Sequence, residues 1–353
     1  MSLDKTSSNP DAPSAAPPVR VGIVGYGWWG KILAKNLCTS PWFKLAAIVE
    51  LDAQVRARMH DDASELNFAV EEDFRHFLAT PGMEAVIICS PHQAHAEQIV
   101  AASQAGLHVF CEKPLCLTLD DARRAVASCQ QHGRVLGIGH ERRFEPPVMQ
   151  LRQDIAAGKL GNILQIEANF NQDKFLALPK DNWRLSNQFA PVGPLTATGI
   201  HLVDLSIALL GPAESVWARL ATRGSNFENG DTLGIMLSFP GGANSLISAV
   251  LATPFDGRLA VYGSQGWVDI RDRTHPELPT GWDVTTALRG QERQSHFVPA
   301  HPAALSNLEA FAMAVRGLRP YPVTQREMLA NVAAVQAIMN SVRSGGIEQV
   351  TTP

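Results

Sequence analysis

The sequence predicts an α/β protein of two domains. The first is a doubly wound parallel sheet over residues 19–143. The second, over 144–353, is an α+β unit with a large open, mostly antiparallel sheet. Three observations carry this. Short apolar runs alternate with helical segments from Val19 to Gly139, the grammar of parallel strands joined by crossovers. After Arg143 the strands lengthen and meet at hairpin turns. And 353 residues exceed what one hydrophobic core usually serves.

Val19–Val24 (VRVGIV) is a β-branched run suited to a buried parallel strand. It breaks into Gly25-Tyr26-Gly27-Trp28-Trp29-Gly30, a G-x-G-x-x-G, and a helical segment follows over Lys31–Cys38. In such a loop Gly25 permits the tight turn, Gly27 lets backbone approach a pyrophosphate, and Gly30 lets helix and strand pack closely. The helix N-terminus offers free N–H groups to phosphates. The run Leu45–Val49 ends on Glu50, 20 residues beyond Gly30. A carboxylate there accepts hydrogen bonds from ribose hydroxyls and repels a 2′-phosphate. Strand, glycine loop, helix and acid together predict a dinucleotide site. No Arg or Lys adjoins Glu50, so NAD is expected rather than NADP.

Further along, Ala53–His60 reads as a short helix and Val70–Thr80 as another, with Phe74, Phe77 and Leu78 at helical spacing. Ala85–Cys89 is a strand. Pro91 starts a helix that Gly106 stops. His108–Cys111 is a strand, Thr118 caps a helix over Leu119–His132, and Val135–Gly139 closes the first unit. In the second unit a helix is expected over Pro147–Ala157 and another from Gly199. Hairpins are expected at Pro240-Gly241-Gly242 and at Gly263–Gly266, and helices over Asn307–Val315 and Thr324–Ser344. Thr324 and Glu327 form a T-x-x-E capping box.

Composition narrows the function. Charged residues are 18% and net charge is −4, no footprint for nucleic acid or an anionic membrane. No apolar run is long enough to span a bilayer. Met1–Pro18, rich in Ser, Ala, Pro and Asp, reads as a disordered tail without an apolar core or twin arginine. Five cysteines without a C-x-x-C fit reduced thiols and a cytoplasmic setting.

Three clusters outside the glycine loop bear on chemistry. Cys89-Ser90-Pro91-His92-Gln93-Ala94-His95 follows a strand's C-terminal end, where open α/β sheets bind ligands. His92 and His95 have no carboxylate or cysteine completing a metal set, so no metal is expected and His95 reads as a packing or capping group. Glu112-Lys113-Pro114 follows the next strand, and Pro114 can hold a cis bond that directs Lys113. A lysine is usually solvated. A desolvated ammonium beside a nicotinamide instead titrates nearer neutrality, as acid–base catalysis requires. His201 lies off the apolar stripe Leu202, Leu205, Leu209, near a helix start, and its imidazole suits proton transfer from an alcohol. Asp204 is as readily a structural acid.

These residues stand in the order of a known family. The glycine loop 25–30, Ser90-Pro91 with His95, Glu112-Lys113-Pro114, Arg142-Arg143-Phe144, Trp183-Arg184 and Gly199-x-His201-x-x-Asp204 together resemble the glucose–fructose oxidoreductase / inositol dehydrogenase / MocA family, from about Val19 to Gly345. The resemblance implies a Rossmann domain and a mixed α/β domain whose open sheet makes homodimers or homotetramers. It implies hydride exchange between a nicotinamide cofactor and the hydroxyl-bearing carbon of a small sugar, polyol or hydroxy acid. It gives Lys113 and His201 catalytic roles. Gly25, Gly27, Trp28, Trp29, Gly30, Glu50, Ser90, Pro91, His95, Glu112, Lys113 and Arg184 would line the cofactor. An NAD-retaining hydrolase or eliminase and a non-catalytic nucleotide-sensing regulator are the alternatives, and retained Lys113 and His201 argue against the regulator. One position departs: polyol-oxidising relatives carry an aspartate four residues before the histidine, and here it is Ala197. The expectation is a His201 without a partnering carboxylate, its pKa lowered by a helix N-terminus. Arg142, Arg143, Lys174 and Arg184 would suit a carboxylate-bearing substrate, and for most of them a solvated surface position is expected.

Overall fold

Two sheets organise the computed structural model, which describes residues 16–351; residues 1–15 of the expected tail lie outside the described residues. The first part runs β1 (Val19–Val24), α1 (Trp28–Thr39), β2 (Phe43–Val49), α2 (Ala53–Ala57), α3 (His60–Leu66), β3 (Ala69–Glu71), α4 (Phe74–Leu78), β4 (Ala85–Ile88), α5 (His95–Gln104), β5 (His108–Cys111), α6 (Leu119–Gln131) and β6 (Leu136–Ile138). Its strands form a six-stranded sheet in the order β3-β2-β1-β4-β5-β6, each pair parallel. The order reverses between β1 and β4, so a crevice opens at their C-terminal ends, beside the glycine loop.

Local chemistry sets the boundaries. Thr118 caps α6 by accepting from the Asp121 amide at 3.2 Å. The helix expected within Val70–Thr80 is α4, and the start of that stretch belongs to β3. Val70 pairs with Ile48 in the sheet, and Asp73 caps the helix by accepting from the Arg75 and His76 amides at 2.8 and 2.9 Å. The expected single helix over Ala53–His60 divides into α2 and α3. The helix after Pro91 opens with a 3₁₀ turn over His92–Ala94.

The second part runs α7 (Pro146–Ala156), β7 (Ile163–Asn171), α8 (Ile200–Leu210), β8 (Ser215–Ala221), β9 (Thr232–Ser238), β10 (Asn244–Val250), β11 (Asp256–Gly263), β12 (Gly266–Asp272), β13 (Gly281–Leu288), β14 (Gln294–Pro299), α9 (Ala303–Val315), α10 (Gln325–Ser344) and β15 (Glu348–Gln349). A nine-stranded sheet, ordered β14-β13-β12-β11-β7-β10-β9-β8-β15, is antiparallel except where β7 meets β10. One face packs on α8 and α10 through Ile166, Ile235, Ile247, Leu202, Leu205 and Ile338. Both expected hairpins, β9–β10 and β11–β12, form in register.

The last helices return to the first sheet. Leu308, Phe311 and Ala312 of α9 join the core of Val19, Val21 and Phe110, with the Phe110 and Phe311 rings 5.6 Å apart. Arg316 pairs with Glu84 at 2.6 Å and donates to the Pro17 and Pro18 carbonyls. Phe311 is fully buried, so Phe311→Ala is expected to cost about 3–5 kcal/mol, measured as a lower urea midpoint. An unchanged midpoint would mean that α9 is not integral to this core.

Candidate active site

The glycine loop fits a dinucleotide on its own geometry. Gly25 sits at φ +92°, and a Cβ on Gly30 would lie 2.2 Å from the Gly25 carbonyl, so neither position takes a side chain. A Cβ on Gly27 would meet nothing within 4 Å, the open approach a pyrophosphate needs. Gly27 caps α1 with no side chain engaged and no acid in the first turn, so the leading N–H groups stay available for phosphate. The helix starts at Trp28, three residues earlier than expected. Glu50 ends β2 and accepts from the Tyr26 amide at 2.7 Å and the Asp52 amide at 3.0 Å, holding the loop to the strand. The expectation of no cation near Glu50 is corrected. Arg56 donates to the Glu50 and Leu51 carbonyls at 2.7 Å each and pairs with Glu72 at 3.3 Å. It sits six residues on, brought back by the turn of α2.

A cavity of about 700 Å³ runs from this loop to the second sheet, a size that suits small-molecule sites. Trp28, Trp29, Ser90, His95, Glu112, Lys113, Arg184 and His201 all line it, so sequence-distant candidates converge. His95 is fully buried, with Nδ1 2.8 Å from the Pro114 carbonyl and Nε2 2.9 Å from the Ser90 carbonyl. It ties the turn after β4 to the turn after β5, in keeping with a packing group.

Lys113 leaves the end of β5, and its peptide bond to Pro114 is cis. Its Nζ donates to the Ala197 carbonyl at 3.0 Å and, more loosely, to the Thr196 carbonyl at 3.4 Å. These carbonyls belong to a π-helical turn over Leu195–Gly199 that runs directly into α8. Burial lowers the Lys113 pKa, opposed by Glu141 and Glu112. Burial raises Glu112 to about 7, and the Trp29 indole N–H beside it favours the charged form without completing a hydrogen bond.

His201 is 5% exposed, on the first turn of α8. Because the π-helical turn continues into α8, no free helix N-terminus stands behind it. Its pKa is held well below the usual range first by burial, then by Lys113, Arg142, His140 and His275. The absence of a partnering carboxylate is also corrected: Glu141 Oε1 lies 3.6 Å from Nδ1 of His201. Glu141 starts the 3₁₀ turn after β6 and lines the cavity. The only sequence signal for it was its place just before Arg142-Arg143-Phe144.

The basic groups expected at the surface lie mostly inside. Arg142 pairs with Glu145 at 2.9 Å and Asp272 at 2.7 Å, and Arg143 with Asp204 at 2.7 Å and Glu327 at 2.6 Å. Asp204 is thereby a structural acid. Lys174 pairs with Glu277 and lies over the Trp28 ring at 5.6 Å. Arg184 stacks on Trp183 at 4.5 Å and has no carboxylate partner among the described residues. Phe170, Gln172 and His275 complete the far wall, with His275 Nε2 2.9 Å from Gln172 Oε1. Their long sequence separation left no local signal.

Comparison with known proteins agrees with this arrangement. Residues 19–140 match a family model described as an oxidoreductase family with an NAD-binding Rossmann fold, and residues 148–269 match the GFO/IDH/MocA C-terminal domain. The uncharacterized oxidoreductase YrbE of Bacillus subtilis (strain 168) is 30% identical over 78% of this chain and 79% of its own. From the same organism, the NAD(+)-dependent scyllo-inositol 2-dehydrogenase is 28% identical over 93% of this chain and 95% of its own. The NADP(+)-dependent scyllo-inositol 2-dehydrogenase IolW is 23% identical over 92% and 93%. Both domains match, and the chain belongs to the GFO/IDH/MocA family of NAD(P)-dependent oxidoreductases.

Proposed function

We propose that this chain is an NAD-preferring dehydrogenase of small sugar-like or polyol-like alcohols, with Lys113 and His201 as its catalytic residues. One observation carries the reading. Lys113 reaches from the Rossmann sheet to the turn that immediately precedes His201, so both groups face one space beside the glycine loop. The nicotinamide, when bound, supplies the two-electron exchange with the substrate carbon. Lys113 spends two of its three N–H donors on carbonyls and turns the third to the reacting oxygen. His201 is neutral at ordinary pH and takes that oxygen's proton. The scyllo-inositol relatives support an alcohol of this class. A screen of sugars, polyols and hydroxy acids for NADH appearance tests it, and cofactor reduction by none of them would overturn it.

Preference for NAD rests on Glu50, which meets the ribose end as a carboxylate while Arg56 is occupied by two carbonyls and Glu72. Glu50→Ala is expected to narrow the gap between NAD and NADP by the loss of one charge-assisted hydrogen bond, about 1.5–3 kcal/mol. Binding titrations with both cofactors measure this, and tighter NADP binding by the native chain would reverse the assignment.

The open face of the second sheet supports a homodimer or homotetramer. Trp217 of β8, Met236 of β9 and Leu246 of β10 are direct neighbours across three strands, and each is exposed. Sedimentation of the full chain reads the state directly. No helix among the described residues is long and apolar enough to cross a membrane, and free thiols at all five cysteines support a reducing, cytoplasmic setting.

A further inference from the structure

We propose that Glu141 is the proton partner of His201, a positioning residue that supplies from the turn after β6 the carboxylate that residue 197 does not. The proposal rests on the reading of His201 as the group that exchanges the substrate proton.

The geometry starts from an orphan. Nδ1 of His201 is buried and has no hydrogen-bond partner, and a buried ring nitrogen left alone is costly. The carboxylate facing it is Glu141, at 3.6 Å, a few tenths of an ångström beyond a hydrogen bond. Catalytic hydrogen bonds are often this long before substrate is present. Glu141 in turn makes no hydrogen bond to a side chain among the described residues. Its neighbours Arg142 and Arg143 pair with Glu145, Asp272, Asp204 and Glu327, and Nη1 of Arg142 is left without a hydrogen-bond partner among the described residues. A carboxyl that is 15% exposed and lines the cavity is poorly placed for a structural role.

Charges around the pair come from several elements. Lys113 and Glu112 approach from the end of β5, Arg142 from the same turn as Glu141, His140 from the residue before it, and His275 from the far wall. Burial and Glu112 raise Glu141 to about 7, while burial and the cations lower His201. Near neutrality Glu141 therefore changes charge beside an imidazole that is already neutral, and the ring senses that step. With Nδ1 turned to Glu141, Nε2 is left for the substrate. When the carbon gives its hydrogen and two electrons to the cofactor, the O–H bond breaks and the proton passes to Nε2. The imidazolium then holds its Nδ1–H against the Glu141 carboxylate. In the reverse direction the same proton returns to the alkoxide oxygen.

Glu141 reaches the ring from a different element than residue 197. Ala197 lies four residues before His201 on one continuous helical path, so an acid there would face the same ring. The methyl group at 197 supplies no carboxylate, and the one beside Nδ1 is that of Glu141.

The test uses Glu141→Gln, which keeps volume and removes charge. In the enzyme, kcat for alcohol oxidation is expected to fall about 10- to 100-fold, below the 10²–10⁴ of a group that itself moves the proton, with KM nearly unchanged. Adding Ala197→Asp to Glu141→Gln is expected to restore at least about tenfold, and Ala197→Asn is not. Equal recovery by aspartate and asparagine would assign Glu141 a packing role and overturn the proposal. A second readout needs no turnover. In cofactor-free protein the ¹⁵N signals of the His201 ring are expected to show a titration step near neutrality that vanishes in Glu141→Gln and only shifts in Glu112→Gln. Persistence of that step in Glu141→Gln overturns the pairing. Full activity of His201→Ala would instead overturn the assignment of His201, and the ring titration separates that failure from this one.

Discussion

Lys113→Ala is expected to lower turnover by about 100- to 10,000-fold while NAD binding stays nearly intact. The size follows from what the ammonium does. Its two carbonyl contacts, at 3.0 and 3.4 Å, fix Nζ against the turn before His201. A group fixed in this way loses little freedom when it meets the reacting oxygen. Alanine removes both the positive charge at that oxygen and the tether between the two domains' walls. The glycine loop and Glu50 are the proposed NAD-holding elements, and Lys113 makes no hydrogen bond to either among the described residues. Quenching of Trp28 and Trp29 fluorescence by NAD measures that binding separately from rate. The sign with pH is fixed by the lowered pKa. The ammonium is present below its pKa, so oxidation falls as pH rises through a value under the usual lysine range. Arginine remains charged there, so whatever activity Lys113→Arg retains should lack this alkaline limb. Near-normal turnover of Lys113→Ala would leave the lysine a cofactor-shell residue and sink the mechanism.

What could be read in the chain was what is local. The Gly25–Gly30 loop, Glu112-Lys113-Pro114 and Gly199–Asp204 each carry their meaning within a dozen residues, because a strand end, a turn and a helix start are short-range objects, and Glu50 takes its meaning from ending the next apolar run 20 residues beyond Gly30. The parallel, doubly wound character of the first sheet followed from the same alternation, and its strand order did not. Long-range facts were not legible. Glu141 meets His201 only because β6 ends beside α8. Arg56 reaches the Glu50 carbonyl only because α2 folds back. The π-helical turn at Leu195–Gly199 has no residue signature, yet it presents two carbonyls to Lys113 and removes the helix N-terminus once expected behind His201. Arg142 and Arg143 were misplaced at the surface for a related reason. Their partners Asp272, Asp204 and Glu327 lie 61 or more residues away and become neighbours only in the fold. Strands β7 and β8 alternate buried with less buried positions but are not joined by a glycine-marked hairpin, β13 is buried mainly at its start and β14 buries no side chain, so all four carry less local signal than the hairpins β9–β10 and β11–β12.

His201→Ala is the companion experiment, and its signature is a pH profile as much as a rate. Turnover is expected to fall by about 100- to 10,000-fold, the usual worth of a positioned acid–base group. The fall should be greatest where the imidazole does its work. Burial and four surrounding cationic or ionisable groups hold its pKa well below the ordinary range, so the ring is neutral through neutral pH. Alcohol oxidation needs that neutral form. Activity is therefore kept above the titration of the His201–Glu141 pair and lost as pH falls through it, with Glu141 near 7 setting the position. Reduction of the carbonyl runs the other way, favoured by the protonated pair. The native enzyme should thus show an acid limb from this pair and an alkaline limb from Lys113, and His201→Ala should flatten the first while keeping the second. Two controls keep the result readable. NAD affinity should not change, since His201 does not touch the glycine loop. The small cavity left beside Phe170, whose ring lies 5.9 Å from the imidazole, should lower stability only modestly, as a urea midpoint would show. If His201→Ala keeps its rate and an unchanged profile, the substrate proton leaves through Lys113 or solvent, and the imidazole serves only to pack against Phe170.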